Sequence, residues 1–114
     1  MSKSIREWQQ EVHALAIEKG WYEGKSASPT EILSRLMLVV TEIAEAAEEV
    51  RSGRGLLALR ALHAGKPEGF SIELADAVIR ILDLAEWIGV DMDDMMQMKH
   101  NFNRTRPARH NKVA

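Results

Sequence analysis

The sequence predicts one all-α domain, an antiparallel four-helix-bundle-like arrangement that associates with further copies of itself. Three observations point there. Four segments carry helical start and stop signals, no segment alternates apolar and polar residues between turn signals as a strand does, and two of the helices are too apolar for one short chain to cover. The chain has 114 residues, 46% apolar and 28% charged, which is the composition of one folded domain spanning 1–114.

The first helix is expected from about Ser4 to Lys19. Ser4 and Glu7 form a capping-box pair, and Gly20 supplies the stop. The second starts at Ser28, where Pro29 takes the first helical position and Glu31 lies three residues beyond the cap, and it runs to about Ser52. Residues 53–70 form a long connection; Leu56 to His63 are expected to add a short helical turn, and Gly65 to Gly69 a loop. The third helix is expected from about Ser71 to Ile88, ended by Gly89. The fourth begins near Asp91 and must stop before Pro107. Beyond about residue 107 a basic tail is expected to be mobile.

Charge is unevenly spread. Residues 1–98 hold ten basic and all 17 acidic residues, a balance of −7, whereas residues 99–114 hold five basic residues and no acid. An acidic body repels a phosphate backbone, so extended nucleic-acid binding is not expected; the basic end suits phosphates held near carboxylates. No apolar run reaches the roughly 18 residues of a membrane helix. The N-terminus has no signal-peptide pattern, and there is no cysteine, so a reducing, cytoplasmic setting is expected without disulfides or thiolate metal sites.

The chemistry is expected on the second and third helices. At about 100° per residue, Leu36, Val40, Ile43, Ala47 and Val50 form an apolar stripe on the second helix, with Glu42, Glu45 and Glu49 on the opposite side. Alone, that polar side reads as a solvated face. The third helix is different. Leu74, Ala75, Val78, Ile79, Ile81, Leu82, Ala85 and Ile88 cover most of its circumference, so it is expected to be the most buried. Glu73, Asp76, Arg80 and Asp83 fill the remaining strip. Carboxylates on a buried helix are costly unless paired or bound to a cation, and Arg80 cannot neutralise three. Glu42/Glu45 and Glu73/Asp76 are both i, i+3 pairs, each on one helix face, and two such pairs on neighbouring helices can converge on one point. All-oxygen ligation favours Mg²⁺, with Mn²⁺ as a substitute. None of the four histidines follows a glutamate by three residues, which excludes the Glu-x-x-His pairs of a ferritin-like di-iron site.

Glu42-Ile-Ala-Glu45, a gap of 27 residues and Glu73-Leu-Ala-Asp76 resemble the ExxE…ExxD signature of the all-α nucleoside triphosphate pyrophosphohydrolases, the superfamily of MazG proteins and dimeric dUTPases. Glu73 to Arg80 reads like MazG-type sequences. The spacing of Lys99, Asn103, Arg106 and Pro107 is similar to a C-terminal pattern of the family, and Trp21 stands where many relatives carry a tryptophan. The resemblance covers roughly residues 5–112. It implies a MazG fold, Mg²⁺ held by Glu42, Glu45, Glu73 and Asp76, and hydrolysis of a nucleoside triphosphate between the α and β phosphates, in house-cleaning or nucleotide-pool control. It also implies that Lys99 and Asn103 lie near phosphate or sugar, with Arg106 and Trp21 as further substrate contacts, in a homodimer or homotetramer.

One position departs from the pattern. Dimeric dUTPases often carry an additional Glu immediately before the first motif, and here Thr41 stands there. The general base is therefore unassigned, with Glu49 and Asp83 as positional candidates. The same departure supports an alternative, a catalytically silent helical nucleotide-binding or regulatory module. Without the resemblance, Trp8, Trp21 and Trp87 read as core or interface residues, Met92, Met95, Met96 and Met98 as packing, and His13 and His63 as surface or packing residues.

Overall fold

A computed structural model describes residues 2–61 and 65–108. Within them the chain forms α1 (Ile5–Glu18), α2 (Pro29–Arg51), β1 (Arg60–Ala61), β2 (Pro67–Glu68), α3 (Phe70–Ile88) and α4 (Met92–Arg104). The helix ends follow the local chemistry. The Ser4 hydroxyl accepts from the Glu7 amide while the Glu7 carboxylate accepts from the Ser4 amide, a closed capping box. Ser28 caps α2 ahead of Pro29, and Asp91 caps α4 through the Asp94 amide. Gly89 ends α3 in the left-handed conformation that spares a glycine the Cβ clash.

The connection between α2 and α3 corrects one expectation. Residues 60–61 and 67–68 pair as a minimal antiparallel hairpin, Arg60 opposite Glu68 and Ala61 opposite Pro67, a small addition to an otherwise helical fold. The described part of 56–63 does not make the expected helical turn; residues 62–64 lie outside the described residues, His63 among them. The hairpin is tied to α2 by side chains far apart in sequence. The Arg60 guanidinium donates to both oxygens of Glu49, at 3.0 and 2.7 Å, and Arg54 adds a third contact at 3.3 Å. That pairing holds the Glu49 carboxyl below its ordinary range.

Packing centres on α3, which lies against both α2 and α1, while α4 packs against α1. The contacts give direction. Glu42 meets Arg80 and Glu45 meets Glu73, so α2 and α3 are antiparallel; Gln9 meets Glu86 and His13 meets Asp83, so α1 and α3 are antiparallel too. α3 contributes Ala77, Leu82, Leu84 and Ala85 to the core and is the most buried helix, as expected.

On α2 the faces are reversed. Val39, Glu42 and Ala46 are buried against the rest of the chain, whereas Leu36, Val40, Ile43, Ala47 and Val50 are exposed. Leu74, Val78 and Ile81 of α3 are exposed as well. On the two wheels these residues lie about a quarter turn from the α2–α3 contact, in the sense that brings both stripes to one side of an antiparallel pair. On the polar side of α2 Glu42 thus faces inward while Glu45 stays exposed, and the apolar stripe faces outward. Among the described residues no helix is long and apolar enough to cross a membrane. The basic tail is described only to residue 108, so Arg109, His110 and Lys112 lie outside it.

Candidate metal centre and adjoining cleft

Three of the four motif carboxylates converge. One oxygen each from Glu42, Glu73 and Asp76 can be chosen so that all lie within 4.8 Å of one another. α2 supplies Glu42 from its inward face between Val39 and Ala46, where it is only 6% exposed. α3 supplies Glu73 in its first turn and Asp76 almost one turn later. Ala46, one turn beyond Glu42, and Ala77, next to Asp76, are both buried. Glu45 is exposed and stands outside this set of three, but its side chain hydrogen-bonds to Glu73.

The electrostatics of the cluster show in Glu73. Burial, then the hydrogen bond and charge of Glu45, then the charges of Glu42 and Asp76, push its carboxyl up from 4.5 to about 7. Near neutral pH the protein alone holds a proton among these groups. The Arg80 guanidinium supplies positive charge, its Nε donating to Glu42 Oε1 at 3.1 Å. The donor set is all oxygen and excess in negative charge. It therefore fits a hard divalent cation, which would relieve the repulsion that raises Glu73.

Beside the cluster is a cleft of about 690 Å³, within the range of small-molecule sites. Trp8, Trp21, Leu38 and Ile79 give it apolar walls, and Asp76, Arg80 and Asp83 give it polar ones. Trp21 is 60% exposed, and its carbonyl accepts from Arg35 at 3.0 Å, which fixes the backbone that carries the ring. Arg35 also stacks over Tyr22, 4.0 Å from the ring centroid.

Asp83 is the hub of a partly buried network. His13 Nδ1 lies 2.7 Å from Asp83 Oδ1, and the Tyr22 hydroxyl donates to Oδ2 at 2.7 Å. Burial first, and this hydrogen bond second, raise the Tyr22 hydroxyl well above its usual value. His13, read from sequence as a surface or packing residue, is half-buried and pairs with Asp83, which lines the cleft.

The positional candidates for a general base are both engaged. Both oxygens of Glu49 are taken by arginines and both oxygens of Asp83 by His13 and Tyr22. The Thr41 hydroxyl donates to the Met37 carbonyl of its own helix. Lys99, Asn103 and Arg106 do not line the cleft. Lys99 makes no ion pair among the described residues and sits 5.0 Å from the Phe102 ring centroid, and Asn103 accepts from Arg106 at 3.5 Å.

One contributor, Tyr22, gave no signal as a site residue in the sequence.

Comparison of the chain with protein-family models, with curated proteins and with solved structures gives no match.

Proposed function

We propose that the chain is a divalent-metal-dependent nucleoside triphosphate pyrophosphohydrolase. The observation that carries this reading is the convergence of Glu42, Glu73 and Asp76, from two helices, at the edge of an aromatic-walled cleft. The resemblance of the two carboxylate motifs to the MazG type supports it. Glu42, Glu73 and Asp76 would hold Mg²⁺, with Glu45 at their margin, and Mn²⁺ would substitute. The bound ion would supply charge neutralisation at the phosphates and a polarised water. The chain's own groups do the rest. Trp21 and Trp8 offer flat apolar faces to a base, Arg80 projects a positive charge into the same cleft, and the resemblance assigns Lys99, Asn103 and Arg106, which stand outside that cleft, to phosphate and sugar. Water enters, the Pα–O–Pβ bridge breaks, and the products are the nucleoside monophosphate and pyrophosphate.

Self-association belongs to the same proposal. Among the described residues 23 large hydrophobic side chains are exposed against eight buried apolar ones, far more uncovered apolar surface than an isolated small domain keeps. A second copy seated on the exposed stripes of α2 and α3 would cover it, as a dimer or as half of a tetramer.

The engagement of Glu49 and Asp83 favours a second reading, a nucleotide-binding module without turnover. One experiment separates the two: a panel of ordinary and modified nucleoside and deoxynucleoside triphosphates with Mg²⁺, with monophosphate and pyrophosphate measured. The enzyme reading expects metal-dependent release of pyrophosphate, abolished by chelation and reduced at least ten- to a hundredfold in Glu73→Ala. Binding without pyrophosphate release for every member would establish the silent module instead.

A further inference from the structure

Arg80 is a cation on the strip of α3 that carries Glu73 and Asp76, one turn beyond Asp76. Its two surroundings differ. On one side its Nε donates to Glu42, the most buried carboxylate of the cluster; on the other the side chain is 41% exposed and lines the aromatic cleft. A guanidinium and a divalent cation drawn to one carboxylate repel each other, and a long side chain open to the cleft has somewhere else to go. A triphosphate carries more negative charge than one divalent ion neutralises, and planar guanidinium donors match phosphate oxygens.

We propose that Arg80 is a built-in counter-cation that bound metal displaces from Glu42, and that the released guanidinium then contacts the phosphate chain of the ligand in the cleft. This rests on the metal-centre reading above and adds to it an order of events: the cleft gains its phosphate donor only once the carboxylates have taken up metal. Binding of metal and of polyphosphate is therefore coupled through one side chain. The opposite role, Arg80 steadying Glu42 as an outer partner of the metal, makes the opposite prediction for affinity.

The test uses the full chain, Mn²⁺ alone and inorganic triphosphate as probes, with calorimetry or electron paramagnetic resonance as readout. Arg80→Gln should bind Mn²⁺ at least threefold more tightly than wild type, because no charge has to be displaced. In the presence of saturating Mn²⁺ it should bind inorganic triphosphate at least fivefold more weakly. Arg80→Lys, which keeps the charge, should bring Mn²⁺ affinity back to within twofold of wild type. Unchanged or weaker Mn²⁺ binding in Arg80→Gln overturns the displacement, and tighter Mn²⁺ with unchanged triphosphate binding overturns the handover to phosphate. Wild type that binds no Mn²⁺ overturns the metal centre itself, an outcome distinct from either.

Discussion

Glu73 is poised to change charge near neutrality. Its carboxyl is raised from 4.5 to about 7 by burial and by the carboxylates around it. The folded chain therefore binds more protons than the unfolded chain between about pH 4.5 and 7, and in the absence of metal its stability should fall as pH rises through that window. Melting in a chelator should show a lower Tm at pH 8 than at pH 5, and Glu73→Gln should flatten the difference. Mg²⁺ at pH 8 should restore the Tm of wild type, and metal affinity should grow with pH up to about 7, because binding must expel the proton. A second residue test concerns Lys99. Since it makes no ion pair among the described residues, Lys99→Ala should leave the melting temperature unchanged while lowering turnover about tenfold or more. Unchanged turnover at equal folded fraction would remove Lys99 from the site. The spacing of Glu42, Glu45, Glu73 and Asp76 picked out four carboxylates, of which Glu42, Glu73 and Asp76 converge and Glu45 stands outside. The depth of Glu42 was not legible, because the wheel of α2 alone assigns that side to solvent, and only the antiparallel approach of α3 turns it inward.

Elements were legible where capping chemistry is local. Ser4 with Glu7, Ser28 with Pro29, Gly89 and Asp91 mark helix ends within a residue or two, because each satisfies backbone groups of its own turn. The β1–β2 hairpin was not legible: two-residue strands show no period, and the ion pair that anchors them joins Arg60 to a glutamate on another element. The junction of that hairpin with α3 is Gly69, at φ 139°. A Cβ there would stand 2.5 Å from the Ala58 carbonyl oxygen, so backbone as well as torsion resists any side chain. Gly69→Ala should cost roughly 2–3 kcal/mol. Because α3 begins at the next residue and Glu73 lies in its first turn, the same variant should weaken metal binding, whereas Gly53→Ala, with open space around its Cβ, should not. Equal metal affinity in Gly69→Ala would show that the first turn of α3 holds its position without that contact.

At the scale of the whole molecule, the apolar residues of α2 were found by period and their excess pointed to a second copy, but not to which face of α2 would be left to it. The wheel shows that Leu36, Val40, Ile43 and Val50 share a face, and it does not say whether that face meets its own chain or another. Sedimentation should show a dimer or tetramer at micromolar concentration. Ile43→Asp, which sets a charge in the middle of the exposed stripe, should shift the protein towards monomer, and a stable wild-type monomer would refute the assignment. The other flank of α3 carries a different consequence. Gln9, 1% exposed, donates from its amide to Glu86 at 2.9 Å and to the Val90 carbonyl at 2.7 Å, and accepts from the Met92 amide at 3.1 Å. One side chain of α1 therefore fastens the end of α3 to the start of α4. Losing any one of these bonds leaves a desolvated polar group, so the three segments gain little by opening separately. In native-state deuterium exchange, the amides of α1 and of the corner at residues 88–92 should share one opening free energy, while α2, held by other contacts, exchanges on its own.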